Sequence, residues 1–125
     1  MPFRILAGVL GAFFFVQGLQ WLTVPAQAAE ALGMSLLDGV ARSTQIGDMA
    51  GFFLCLGGFS LYGAYAQNPW LVRAAGCLVG LSSITRTIAW AFHDAPFATQ
   101  FIVIEVIAGG ALLFAASRIN TPTPE

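Results

Sequence analysis

Residues 69–118 read PWLVRAAGCLVGLSSITRTIAWAFHDAPFATQFIVIEVIAGGALLFAASR, and this stretch decides the fold class. It contains two long apolar runs, residues 69–92 and 96–117, separated by a short turn that ends in proline. A helix needs roughly 20 apolar residues to cross the hydrocarbon core of a bilayer, and both runs are long enough. Because the turn is short, we expect two antiparallel transmembrane helices.

Two further apolar runs precede this stretch, at residues 3–24 and 44–66. Pro25 ends the first run, and Ser43 and Thr44 supply helix caps for the second. The sequence therefore predicts an all-α integral membrane protein, with one four-helix bundle of antiparallel neighbours over residues 1–118. We expect residues 25–43 to lie at the membrane interface and residues 119–125 to form a disordered tail.

The composition excludes several classes of protein. Of 125 residues, 58% are hydrophobic and only 9% are charged, whereas soluble domains carry roughly 25% charged residues. The net charge is −1 and there is no lysine, so the five cations are all arginines. A nucleic-acid partner is excluded for lack of a basic stripe, and Schiff-base cofactors are excluded for lack of a lysine.

The first apolar run has a second interpretation. Arg4, the run itself and the small residues of Ala26-Gln27-Ala28 resemble a secretory signal with its cleavage site. The run from Ile5 to Val24 is long for such a signal, so we favour a retained first helix. Cleavage would leave three helices.

Arginine placement predicts the orientation. Loops that flank membrane spans keep their arginines on the cytoplasmic side. With the N terminus inside, Arg4, Arg73 and Arg118 all face the cytoplasm, while Glu30 and Asp38 face the other side. We therefore expect both termini to be cytoplasmic.

Three ionisable residues, Asp48, Arg86 and Glu105, fall within the predicted spans. A charge at the centre of a membrane helix costs roughly 2.5 to 3.5 kcal/mol, so such residues usually pair and mark a functional site. At a rise of about 1.5 Å per residue, Arg86 and Glu105 both lie roughly 9 to 13 Å from the outer ends of their spans. The two therefore match in depth in the outer leaflet, on antiparallel neighbours, where they either neutralise each other or contact a ligand.

Other polar residues arrive in the same leaflet, whereas the inner halves of the spans are almost wholly apolar. This pattern favours a polar pocket open to the outer side over a continuous ion path, and Phe13 to Phe15 require no role beyond contact with lipid or core. The candidate site residues are Gln17, Gln20, Arg42, Asp48, Ser82, Arg86, His93, Asp94 and Glu105.

The residues in sequence order also carry a family resemblance. The motif W-L-x-x-P ends the first run, R-x-x-x-x-G-D-x-x-G opens the second, and S-x-x-x-R, H-D-A-P and a single Glu follow. The chain thereby resembles small bacterial four-helix membrane proteins of unknown function, loosely similar to DoxX-like proteins. Their typical turn is Asp-Gly-x-Pro, and here the glycine is lost. The resemblance implies a multi-pass protein of the bacterial inner membrane and points to Arg42, Arg86, Asp94 and Glu105.

Two functions remain open at this point. In the first, the pocket binds a small anionic or amphipathic ligand, such as a lipid head group or a quinone. In the second, the chain is a structural or accessory subunit of a larger membrane complex or a homo-oligomer, and Arg86 and Glu105 form a purely structural pair. Some DoxX-like proteins accompany oxidoreductases, which fits this second role. We expect no enzyme, no metal site and no cofactor, because the chain carries no catalytic or metal-binding motif.

Overall fold

A computed structural model describes residues 1–122, and this part of the chain folds into five α-helices. The helices are α1 (Pro2–Thr23), α2 (Pro25–Ala31), α3 (Val40–Tyr65), α4 (Pro69–Phe92) and α5 (Thr99–Arg118). By length and composition, α1, α3, α4 and α5 are each able to cross a membrane. The prediction of an all-helical protein with four long apolar helices is therefore confirmed.

The C-terminal segment continues past α5 without helical structure at residues 119–122. Ile119 is buried, so the chain stays against the helices as it leaves α5. The predicted disorder of the tail also covers residues 123–125, which lie outside the described residues.

The start of α3 differs from the prediction, which placed it at residue 44. The helix begins four residues earlier, directly after Gly39, whose φ of +64° ends the preceding loop. Arg42 donates from Nε to the Leu37 carbonyl at 2.7 Å and from a terminal nitrogen to the Asp38 carboxylate at 2.8 Å. These bonds tie the first turn of α3 to the loop, so the turn forms without a side-chain cap.

The start of α5 also differs, because the helix begins at Thr99 and not at Pro96. Asp94 has a φ of +59°, which breaks the helical path after α4. Phe97 packs the edge of its ring on Trp90, with ring centroids 5.1 Å apart, and its carbonyl accepts the Thr99 N–H at 2.8 Å. The proline therefore belongs to the turn.

Close contact between α1 and α3 depends on glycine. A Cβ added at Gly11 would lie 2.7 Å from the backbone nitrogen of Leu61, and one added at Gly57 would lie 2.7 Å from the Gly11 carbonyl oxygen. The buried Ser60 hydroxyl donates to the Ala7 carbonyl at 2.6 Å. Since backbone meets backbone, the two helices form one tightly packed antiparallel pair.

A second antiparallel pair forms between α4 and α5 in the same way. A Cβ at Gly76 would lie 3.0 Å from Cγ of Leu113, and one at Gly109 would lie 3.1 Å from the backbone nitrogen of Gly80. Small residues at such positions let helix backbones approach closely. The four long helices are thus arranged as two pairs.

The two pairs meet at one end of the molecule. Gly63 of α3 lies against Leu71 of α4, so that an added Cβ would be 3.0 Å from the leucine Cβ. Phe3 of α1 packs edge-on against Phe114 of α5, with ring centroids 5.5 Å apart. We call this end, which holds residues 1–7, 60–72 and 112–122, the terminal end; the opposite end, with residues 17–45 and 86–103, is the α2 end.

The loop after α2 is fastened to α3 by one buried side chain. The Gln45 amide oxygen accepts the Leu37 N–H at 2.9 Å, and its amide nitrogen donates to the Ser35 carbonyl at 3.1 Å. Because α2 also packs against α1, the segment from residue 25 to residue 39 is held across the α2 end. The sequence analysis did not single out Gln45, which is one polar residue among several at the start of its helix.

The glycine contacts predict unequal effects of two adjacent substitutions. Gly57→Ala forces a methyl group into the backbone of α1, and we expect it to destabilise the protein by about 1–3 kcal/mol or more. Gly58→Ala is the matched control, because a Cβ there meets nothing within 4 Å and alanine favours the helix. The thermal midpoint of each variant in detergent, followed by size-exclusion chromatography, measures the difference. Equal midpoints for the two variants contradict the packing described.

Candidate functional site

A cavity of about 630 Å³ lies between the two helix pairs and extends from the α2 end to the middle of the long helices. Each of the four long helices contributes to its wall, and Ala31 and Leu32 from the end of α2 cover it. Ligand pockets in proteins commonly measure roughly 300–1,000 Å³. The cavity follows from the packing, because the pairs touch at the terminal end and are separated at the α2 end.

An ion pair across α4 and α5 forms the most polar part of the wall. Arg86 donates from Nε to Oε1 of Glu105 at 2.6 Å. The side chains of Arg86 and Glu105 are 32% and 15% exposed, respectively. The guanidinium carbon lies 4.9 Å from the centre of the Phe101 ring, which covers one face of the arginine. The equal depth that the sequence predicted for the two residues is thus realised as direct contact.

The pair leaves several polar atoms without partners. Both terminal nitrogens of Arg86 donate to no acceptor within residues 1–122, and Oε2 of Glu105 is buried without a hydrogen bond. Asp48 also lines the cavity as an exposed residue, and no hydrogen bond or ion pair within the described residues involves it. One cation and two carboxylates give the cavity a formal charge of −1. The site therefore offers hydrogen-bond donors from Arg86 and an unpaired acceptor from Asp48.

Neutral polar side chains also line the cavity. Gln17, Ser82, Thr85 and Gln100 line it from α1, α4 and α5. The Ser82 hydroxyl donates to the Leu78 carbonyl at 3.2 Å, so its oxygen is left to accept a further bond from within the cavity. The sequence predicted Gln17 and Ser82 for this site, but it did not predict Thr85, which directly precedes Arg86, or Gln100, which lies five residues before Glu105.

Phenylalanine rings form most of the apolar wall, which the sequence analysis did not predict. It assigned Phe13 to Phe15 only to lipid or core contact, yet two of these three line the cavity. The cavity rings are Phe13, Phe14, Phe52, Phe53 and Phe101. A signal was present in the spacing, because Phe13, Phe52 and Phe101 each stand four residues from a predicted polar residue and so share its helical face.

The structure brings five of the nine predicted site residues to the cavity and places four elsewhere. The five are Gln17, Asp48, Ser82, Arg86 and Glu105. Gln20 is exposed and outside the lining, and Arg42 is exposed and bound to Asp38 at 2.8 Å. His93 and Asp94 are exposed in the turn after α4. These four lie near the α2 end, but their helical positions or turn geometry direct them away from the space between the pairs.

Two further findings complete the description of the site. Among residues 1–122, no three His, Cys, Asp or Glu side chains are grouped so that they could hold a metal ion. Comparison of the chain with protein-family models, with curated proteins and with solved structures finds no match.

Loss of the ion pair between Arg86 and Glu105 should reduce the amount of folded protein. Glu105→Ala leaves Arg86 without its partner inside an apolar helix, and breaking such a pair typically costs about 3–5 kcal/mol. We expect a large loss of folded protein, and partial recovery when Arg86→Glu is combined with Glu105→Arg. Folded yield after detergent extraction measures both variants. A double variant no better than Glu105→Ala contradicts a direct pairing contribution.

Proposed function

We propose that the protein is a multi-pass membrane protein whose cavity binds a small amphipathic or anionic ligand, such as a lipid head group or a quinone. The observation that carries this proposal is the position of Arg86. One of its nitrogens is fixed by Glu105, and the other two have no acceptor within residues 1–122 in the wall of a cavity of about 630 Å³. A purely structural pair does not require a cavity beside it.

The chemistry of the lining supports an amphipathic ligand in particular. Hydrogen-bonding groups of Arg86, Asp48 and Gln17 lie among phenylalanine rings, as in small-molecule sites where an apolar lining carries a few polar groups that fix orientation. Because Glu105 already offsets the charge of Arg86, the site favours a ligand with a polar head and an apolar body over a simple anion.

We further propose that the four long helices form an antiparallel transmembrane bundle with both termini in the cytoplasm. Arginines at the terminal end support this orientation. Arg4 donates to the Ala64 carbonyl at 2.8 Å, Arg73 lies 4.6 Å from the centre of the Trp70 ring, and Arg118 lies 5.2 Å from that of Phe114. Arginine on the cytoplasmic side and aromatic rings at the interface are typical of membrane proteins. The resemblance to DoxX-like proteins favours the bacterial inner membrane as the location.

A second candidate function is that of a subunit packed within a larger membrane complex. One face of α3 favours it, since Gly47, Gly51, Cys55 and Gly58 recur at helical spacing. A Cβ at any of these three glycines would meet nothing within 4 Å. Small residues on a lipid-facing surface let another helix approach closely. Native sizing after gentle detergent extraction tests this role, and a lone monomer speaks against it.

The orientation predicts which loops a membrane-impermeant thiol reagent reaches in intact cells. With Cys55 and Cys77 replaced by alanine, Ser35→Cys in the α2 end should react from outside. Gln67→Cys, in the turn between α3 and α4, should react only after the membrane is opened. The opposite labelling pattern contradicts cytoplasmic termini.

The binding role predicts that substitution of Arg86 removes a bound ligand. Removing charge-assisted hydrogen bonds of roughly 1.5–3 kcal/mol lowers affinity by about tenfold or more. We expect Arg86→Ala and Glu105→Gln to lose amphiphiles that wild-type protein retains through purification, as read by mass spectrometry of lipid and quinone extracts.

Arg73→Ala is the matched control for this experiment, because Arg73 contacts Trp70 at the terminal end and does not line the cavity. It should retain the ligand. Full retention of every amphiphile in both cavity variants contradicts the proposed function.

A further inference from the structure

The apolar rim of the cavity lies between α1 and α5. Phe13 and Ile104 line the cavity, and they are 52% and 47% exposed at the same time. Both stand within helices that are apolar enough to cross a membrane. An opening at these two residues therefore faces lipid chains and not the aqueous side.

Helical geometry places both residues at the same gap. Phe13 is two residues from Gly11 and from Phe15, which contact α3, so it lies on the opposite side of α1. Ile104 stands nine residues before Leu113, which contacts Gly76 of α4, and about two and a half turns place it on the opposite side of α5. The cavity thus opens sideways where α1 and α5 are neighbours.

The polar wall opposite this rim presents two groups of opposite charge. The terminal nitrogens of Arg86 and the carboxylate of Asp48 have no partners within residues 1–122. A purely anionic head group would bind Arg86, but it would make the formal charge of the occupied site more negative than −1. A head group with one phosphate and one ammonium satisfies both residues and adds no net charge, which is the better electrostatic complement.

We infer that the cavity holds the zwitterionic head group of a membrane phospholipid. Its phosphate lies against Arg86, its ammonium group lies against Asp48, and its chains leave between α1 and α5 beside Phe13 and Ile104. This inference rests on the proposed binding function and specifies the ligand and its route. The phosphate uses the guanidinium edge that Glu105 leaves open, in the paired geometry that arginine favours for phosphate oxygens.

Two lipids that differ in the head group test the inference. Palmitoyl-oleoyl phosphatidylethanolamine and phosphatidylglycerol share their chains and their phosphate, and only the first carries an ammonium group. Native mass spectrometry of the detergent-purified protein with an equimolar mixture should show preferential binding of phosphatidylethanolamine. Asp48→Asn should reduce this preference by about tenfold, equivalent to ~1.4 kcal/mol, and its folding should be unaffected because Asp48 has no partner within the described residues.

The sideways route has its own pair of variants. Ile104→Trp fills the gap between α1 and α5 and should reduce binding of both lipids at least severalfold. Ile107→Trp is the matched control, since Ile107 is on the same helix, is 66% exposed and does not line the cavity. It should bind as wild type does.

The results test the head group, the sideways route and the proposed function separately. Equal binding of the two lipids to wild-type protein, or an unchanged preference in Asp48→Asn, overturns the zwitterionic head group. Unchanged binding in Ile104→Trp overturns the sideways route. If neither lipid binds but the quinone analogue decylubiquinone binds in a manner sensitive to Arg86→Ala, the inference fails and the proposed function stands. If no probe binds, both fail.

Discussion

Close glycine contacts within each helix pair set the shape of the whole chain. Gly11 and Gly57 bring the backbones of α1 and α3 together, and Gly76 and Gly109 do the same for α4 and α5. Side chains larger than hydrogen at these positions would push the partners apart. Each pair is therefore narrow, and the space that remains lies between the pairs.

The connections of the chain decide where that space is. The short turn between α3 and α4 and the contact of Phe3 with Phe114 hold the pairs together at the terminal end. Away from that end, aromatic residues such as Phe14 of α1 and Phe53 of α3 line the space between the pairs. The result is a cavity closed towards the terminal end and covered by α2, with polar residues contributed by each of the four long helices.

The position of Arg86 and Glu105 in the cavity wall lets the two charges pair and leaves hydrogen-bond donors free. Charges inside apolar helices are costly unless they are paired, and the contact of Nε with Oε1 provides the pairing. The contact uses only one of the three guanidinium nitrogens. The pair can therefore stabilise the contact of α4 with α5 and still present donors to a ligand, so the structural and binding roles are not exclusive.

The four long helices could be predicted from the sequence because an apolar run of this length has few stable structures other than a helix, in water or in lipid. The sequence also predicted that Arg86 and Glu105 lie at the same depth on neighbouring helices, since depth along a helix follows directly from residue number. The phenylalanine rings left a partial signal, since Phe13, Phe52 and Phe101 each share a helical face with a predicted polar residue. Which of these faces borders the space between the pairs depends on packing. The early start of α3 has a local cause, because Arg42 bonds to Leu37 and Asp38, five and four residues earlier in the chain. The Asp38–Arg42 spacing is visible in the sequence, but the positive φ of Gly39 at the start of the helix is not.

A crystal structure grown from a lipid mesophase would show directly whether the cavity beside Arg86 binds an amphiphile. We expect density for a polar head within hydrogen-bonding distance of the terminal nitrogens of Arg86, continuing as a chain between α1 and α5. Side chains that close the space between the helix pairs, with Glu105 as the sole partner of Arg86, would contradict it.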